Sequence, residues 1–279
     1  MALPNSFKTD GFQPLSALRN LRRLMIGTDG LSNTGKTEFA LSAPGPGIAL
    51  FLDRGCDSVI DNPTPPITRQ PDWAFKVISV PLATQTTQPR YLEYWRAFYE
   101  EYKKACDNKD CRTILLDGDS DSWELQRLAE FGKLTQIPPI MYTNVNAARR
   151  AMIARAWDTG KIIIATNKVR NEYKTVVDEQ GNPVLKEGKE SREKTGDLER
   201  QGFADQDYLW QIQLRHLYQP ARINPITKKE VPQQWGVRIM KCKVDTSLQG
   251  TELWNEDCSF QGLVQTVYPH IPLASWGFK

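Results

Sequence analysis

Histidine is almost missing from this chain of 279 residues, with His216 and His270 the only two. Imidazole-based catalytic triads and histidine-rich metal sites therefore have almost no material to draw on. Any hydrolysis must rely on carboxylates, lysines and Mg²⁺. Cysteine is sparse and scattered: Cys56, Cys106, Cys111, Cys242 and Cys258 form no C-x-x-C pair, so neither a disulfide framework nor a zinc site is expected. No apolar stretch approaches the roughly 18 residues of a membrane span. Met1 to Asp10 lacks a basic segment followed by an apolar core. A reducing cytoplasm without a membrane partner is the expectation. Thirty-six basic against thirty-three acidic residues leave +3, too mild a charge to establish a nucleic-acid partner although it permits one. With 40% hydrophobic and 25% charged residues, the composition is that of one large α/β domain or two small ones.

Against these absences stands one specific string, Gly30-Leu31-Ser32-Asn33-Thr34-Gly35-Lys36-Thr37, which matches G-x-x-x-x-G-K-[ST]. It follows an apolar run, Leu24-Met25-Ile26, and precedes a helix-like stretch, Glu38-Phe39-Ala40-Leu41. That is the setting of a phosphate-binding loop. Glycines let the backbone wrap closely enough to aim N–H groups at phosphate oxygens, Lys36 adds a point charge near the β- and γ-phosphates, and Thr37 holds Mg²⁺. The expected ligand is a nucleoside triphosphate, ATP, with Mg²⁺.

Three further runs read as buried parallel strands delivering polar residues to one sheet edge. Ile114-Leu115-Leu116-Asp117 presents Asp117, the expected second magnesium acid, with Asp119 in reserve; Asp121-Ser122 reads equally as the cap of the following helix. Ile162-Ile163-Ile164-Ala165-Thr166-Asn167 places Asn167 toward the γ-phosphate, or leaves it as a strand-end turn residue. Ile48 to Asp53 is a third such run, and Lys76 to Val80 a further candidate. Between Tyr91 and Cys106, aromatics at helical spacing (Tyr91, Trp95, Phe98, Tyr102) are expected to pack against the sheet. The alternation predicts a doubly wound, mostly parallel sheet flanked by helices, extended by C-terminal strands.

After Asn167 the pattern changes. Tyr173 to Leu185 reads as a hairpin, followed by a polar, mixed-charge loop from Lys186 to Phe203. Lys168, Arg170, Lys174 and Lys189 are candidates for phosphate contacts, and a solvated loop is the equally weighted alternative. Tyr208 to Leu214 and Trp235 to Val244 then read as strands. On the second, Lys241 and Lys243 lie two apart and share a face; an anion between them would relieve their repulsion, while an edge strand protected by lysines would also account for them.

The order of these parts resembles the ATPase core of the RecA family over about residues 22–246, with residues 1–21 as a flank and 247–279 as an extension packed on the core. The compact size looks most like the phage RecA-core ATPases associated with single-strand annealing recombination. The resemblance implies single-stranded DNA as partner, a homo-oligomer with ATP shared between subunits, a single-strand-binding protein as a further partner, and the host cytoplasm as location. It implies that Lys241 and Lys243 reach a neighbour's ATP, that Asn167 is a polar switch, and that Gln136 to Tyr142 and Lys168 to Phe203 are the two DNA loops. The family carries a glutamate as base for the attacking water two residues beyond the aspartate equivalent to Asp53, and this chain has Gly55 there. Asp53 or Asp57 is left to substitute, and hydrolysis is expected to be slow. The alternatives are a P-loop motor of another class, helicase-like or packaging, and a nucleotide-dependent interaction protein with weak hydrolysis.

Overall fold

The computed structural model describes residues 23–52, 55–62, 67–70, 72–78, 86–134, 137–178, 180, 182–186, 189–223, 225–226 and 228–278. Its frame is an eight-stranded sheet. In chain order the first five strands are β1 (Leu24–Asp29), β2 (Gly47–Phe51), β3 (Trp73–Val77), β4 (Thr113–Asp117) and β5 (Ile162–Asn167). Then follow β6 (Val169–Thr175), β7 (Leu185–Lys186), β8 (Lys189–Glu190), β9 (Arg192–Arg200), β10 (Ile212–Gln219), β11 (Arg222–Ile223), β12 (Glu230–Val231), β13 (Gln234–Cys242) and β14 (Glu252–Trp254). The large sheet runs β14-β13-β10-β1-β5-β4-β2-β3. Every pairing from β10 across to β3 is parallel, while β13 is antiparallel to both β10 and β14. The expected mostly parallel, helix-flanked sheet is therefore present.

Central strands buried on both faces are apolar along most of their length, and β1, β4 and β5 are buried at every position, with Asp29, Asp117 and Asn167 at their carboxyl ends. One face is covered by α3 (Gln88–Asp107), α4 (Asp119–Phe131) and α5 (Tyr142–Asp158). Tyr91, Phe98 and Tyr102 are buried there, as their helical spacing predicts, and the Tyr102 hydroxyl donates to the Met152 carbonyl at 2.8 Å. The other face is covered by α1 (Lys36–Leu41) with α6 (Phe260–Val267) and α7 (Leu273–Trp276); the short α2 (Cys56–Ile60) adds Cys56 to the same core. In α6, Phe260, Leu263, Val264 and Val267 form an i, i+3, i+4, i+7 stripe, each side chain contributing about 1.5–3 kcal/mol when buried. Ser259 caps this helix by accepting from the Gly262 N–H at 3.1 Å, and the Phe260 N–H donates to Ser42 Oγ at 2.8 Å. The C-terminal helices thus brace α1, the helix that follows the Gly30–Gly35 turns.

Several boundaries differ from the sequence reading. The strand expected at 76–80 lies at 73–77, because pairing with β2 begins at Gly47↔Trp73; Ser79 and Val80 fall outside the described residues. The loop expected over 186–203 is largely strand. β6 pairs with β9, and β7 with β8, making a polar ribbon that extends beyond Asn167. Its residues alternate charge rather than hydrophobicity, so the period-2 signal of a half-buried strand is absent. Helix α4 begins at Asp119, not after Asp121, because Gly118 supplies the left-handed turn (φ 90°).

Candidate functional site

The carboxyl edge of the parallel strands gathers the residues of the proposed site. The register places Asn167 level with Asp29, and Ala165 level with Leu116, so that Asp117 stands beside Thr166. Gly30 to Gly35 leave the end of β1 as turns, with Asn33 (φ 60°) and Gly35 (φ 87°) in left-handed backbone, and α1 starts at Lys36. Asparagine and glycine are the residues that adopt this conformation most readily. The Lys36 ammonium folds over its own loop, donating to the Gly30 and Leu31 carbonyls at 3.0 and 2.6 Å. Thr34 fastens the turn by donating to the Leu31 carbonyl at 2.9 Å.

The hydroxyl of Thr37 donates to Asp117 Oδ2 at 3.0 Å, and Thr166 Oγ1 donates to Asp117 Oδ1 at 2.5 Å while accepting from the Gly118 N–H at 2.9 Å. Both oxygens of Asp117 are thereby oriented, one toward the loop and one toward β5. This donor set suits Mg²⁺, which takes one or two protein oxygens and completes an octahedron with phosphate oxygens and water. Among the described residues no group of three or more His, Cys, Asp or Glu is placed to hold a metal by itself. Thr166 was not singled out from the sequence; the pairing of Leu116 with Ala165, which puts it level with Asp117, is the signal that identifies it. The reserve acid is differently used: Asp119 is fully buried and ion-paired with Arg149, and it also accepts from Gln206.

Asn167 is buried, its carboxamide oxygen 3.4 Å from Ser120 Oγ. The single Ser120 hydroxyl proton goes to the Gln201 carbonyl at 2.7 Å, and its oxygen accepts from the Lys168 N–H at 3.0 Å. One hydroxyl three residues beyond Asp117 thus touches both legs of the ribbon. Arg215 on β10 adds a second tie, pairing with Asp29 at 2.6 Å and donating to the Leu198 carbonyl at 2.8 Å. Serine and arginine at these places give no motif, and neither was legible from sequence.

Other candidates lie elsewhere. Asp53 is outside the described residues. Gly55 caps α2, and Asp57 stands in its first turn beside Cys56, whose thiol is pushed up by burial and by the charges of Asp57 and Asp117. On the ribbon, Lys168 pairs with Asp121 at 2.7 Å, Arg170 with Glu199 at 2.7 Å and Lys174 with Glu193 at 3.2 Å; Lys189 belongs to β8. The whole stretch 168–203 carries eight basic and eight acidic residues. Lys241 and Lys243 share a face, as their spacing requires. They sit midway along the sheet and at its amino edge, away from the Gly30–Thr37 segment of their own chain: Lys241 is level with Gln213, and the Lys243 N–H donates to the Gln211 carbonyl. Their ammonium groups donate to the carbonyls of Asp207 and Tyr208, each at 2.5 Å. Burial and the neighbouring Arg200 depress the Lys241 ammonium; burial and Lys241 depress that of Lys243. Tyr142, in the stretch read as the first DNA loop, begins α5 and packs on Phe131 and Trp123 at 5.1 and 6.3 Å between ring centroids.

Beneath the loop lies His216, buried against Phe39 with ring centroids 5.6 Å apart. Burial, followed by the charge of Lys36, pushes its imidazole down to about 3. An unfolded histidine titrates near 6.5. Between these values the unfolded chain holds a proton that the native chain does not, so stability is full above about 6.5 and falls as pH drops toward 3. Thermal or urea unfolding should lose up to about 1.4 kcal/mol per pH unit from this residue below pH 6. The His216→Phe variant should show a correspondingly flatter profile; an unchanged slope would place the acid sensitivity in other groups.

Among the described residues no helix is long and apolar enough to cross a membrane. No protein-family model matches the chain, and no curated protein matches its sequence.

Proposed function

We propose that this chain is an ATP- and Mg²⁺-binding ATPase with a RecA-like core, which binds single-stranded DNA and assembles on it in phage recombination, strand annealing or replication. The observation that carries the reading is the contact between Thr37 of the G-x-x-x-x-G-K-T loop and Asp117 at the end of β4, one strand removed from β1. Magnesium, when bound, neutralises charge on the β- and γ-phosphates. With the nucleotide bound, Lys36 would turn from its loop carbonyls to those phosphates and Thr37 and Asp117 would hold the metal's oxygen shell, while Thr166 keeps Asp117 aimed. The ties of Ser120 and Arg215 to the ribbon supply the route by which nucleotide state reaches the DNA-binding segment.

A second reading, a nucleotide-dependent interaction protein with weak hydrolysis, is favoured by Gly55 in place of a base and by the balanced charge of the ribbon. The ATPase rate with and without single-stranded DNA, paired with electron microscopy of the products, separates the two. The first reading expects stimulated turnover and filaments or rings; the second expects ATP binding without either. If Lys241 and Lys243 serve a neighbouring subunit's ATP, Lys241→Ala with Lys243→Ala should keep nucleotide binding yet lose ATP-stimulated assembly and most turnover. Mixing that double variant with Lys36→Ala protein should restore part of the activity. Full assembly and turnover by the double variant alone would refute the shared site.

A further inference from the structure

We infer that Trp235 and Tyr218 form the platform on which the base of the bound nucleotide stacks; this rests on the proposed nucleotide site and names the part of it that holds the nucleoside. Trp235 is the second residue of β13 and Tyr218 the last but one of β10, and the two are direct partners in the sheet register. Their rings lie 5.7 Å apart at an angle of 50°. Trp235 reaches the phosphate loop itself: a β-carbon on Gly35 would stand 3.3 Å from its Cδ1. Tyr218 is 42% exposed, and its hydroxyl donates to Gln233 Oε1 at 3.2 Å, which fixes the ring while leaving it open to solvent.

The sheet order gives this pair its direction. Asp117 and Thr166 lie on β4 and β5, to one side of β1, so the magnesium-bearing end of a triphosphate faces that side. The opposite side of β1 is β10 and then β13, which present the aromatic pair at the same edge. A nucleotide held by its β- and γ-phosphates near Asp117 leaves the loop with its nucleoside end toward Gly35 and Trp235. Two adjacent aromatic rings, one half open, offer a base a face rather than a set of hydrogen bonds, an interaction that tolerates different bases.

The test compares Mg·ATP with Mg·tripolyphosphate, which has the phosphates and no base, by titration calorimetry. The wild-type protein should bind ATP more tightly than tripolyphosphate. Tyr218→Ala and Trp235→Ala should each weaken ATP roughly tenfold, the loss of one base stack, and leave tripolyphosphate unchanged. Trp235→Phe, which keeps an aromatic face, should recover most of the ATP affinity. Equal affinities of the wild type for the two ligands, or equal losses for both ligands in the alanine variants, would overturn the platform while leaving the phosphate site standing. Failure of the wild type to bind either ligand would overturn the phosphate site and the platform together.

Discussion

Replacing Lys36 with alanine should lower the affinity for Mg·ATP on the order of a hundredfold, since a desolvated charge pair that loses one partner costs about 2–5 kcal/mol. The fold should survive. In the native chain the Lys36 ammonium donates to the carbonyls of Gly30 and Leu31 in its own loop, and α1 is held instead by Phe39, Ala40 and Leu41 in the core. The melting temperature should therefore move little while ATP turnover disappears. Asp117→Ala should act differently, weakening magnesium-dependent turnover more than nucleotide binding, because under the proposal its carboxylate would orient the metal's shell and not the phosphates directly. Parallel measurements of ATPase rate and circular-dichroism melting check both expectations. Turnover like that of the wild type in Lys36→Ala would remove the assignment of the loop.

The largest effect on stability should come from Arg149. Its side chain is fully buried on α5, paired with the equally buried Asp119 of α4, and donates to Ser122 Oγ at 2.7 Å. Gln206, from the short helical turn Ala204–Tyr208, donates to the other Asp119 oxygen. Arg149→Met leaves that carboxylate buried and without its cation, which costs about 3–5 kcal/mol. Removing both charges, as in Arg149→Met with Asp119→Leu, should recover much of the loss, because apolar residues of similar volume replace buried ion pairs at little cost or with a gain. Urea unfolding of the two single variants and the double variant reads this coupling directly. Additive losses would show that the pair does not act as a unit.

The parts of the architecture legible in advance were those with a local chemical reason. An apolar run such as Ile162 to Ala165 of β5 is expected to be buried on both faces, and two glycines ahead of a lysine–threonine pair at a strand end mark a tight loop. The aromatics of α3 announced themselves by helical spacing. What escaped depended on pairing between distant segments. Thr166 becomes part of the site because β5 lies beside β4 in one register. Ser120 matters because the chain turns at Gly118 instead of later, and Trp235 because β13 folds back beside β10. The second leg of the ribbon, within 186–203, reads as a polar loop after the hairpin expected over 173–185, since β6 and β9 are matched by charge, Arg170 to Glu199 and Lys174 to Glu193, and not by an apolar face. Exposed ion pairs of this kind contribute about 0–1 kcal/mol each, too little to impose a sequence period. The anion inferred between Lys241 and Lys243 has a local counterpart in the carbonyls of Asp207 and Tyr208, a pairing invisible until that turn is placed.

The central claim is that Gly30 to Thr37, with Asp117, bind a magnesium-bound nucleoside triphosphate. A calorimetric titration of the full chain with ATP, run with Mg²⁺ and again with a chelator, tests it most directly. One saturable site per chain, weakened without magnesium and weakened on the order of a hundredfold in Lys36→Ala, is the predicted result. The absence of any saturable binding by the wild-type protein, or binding indifferent to both magnesium and Lys36, would contradict it.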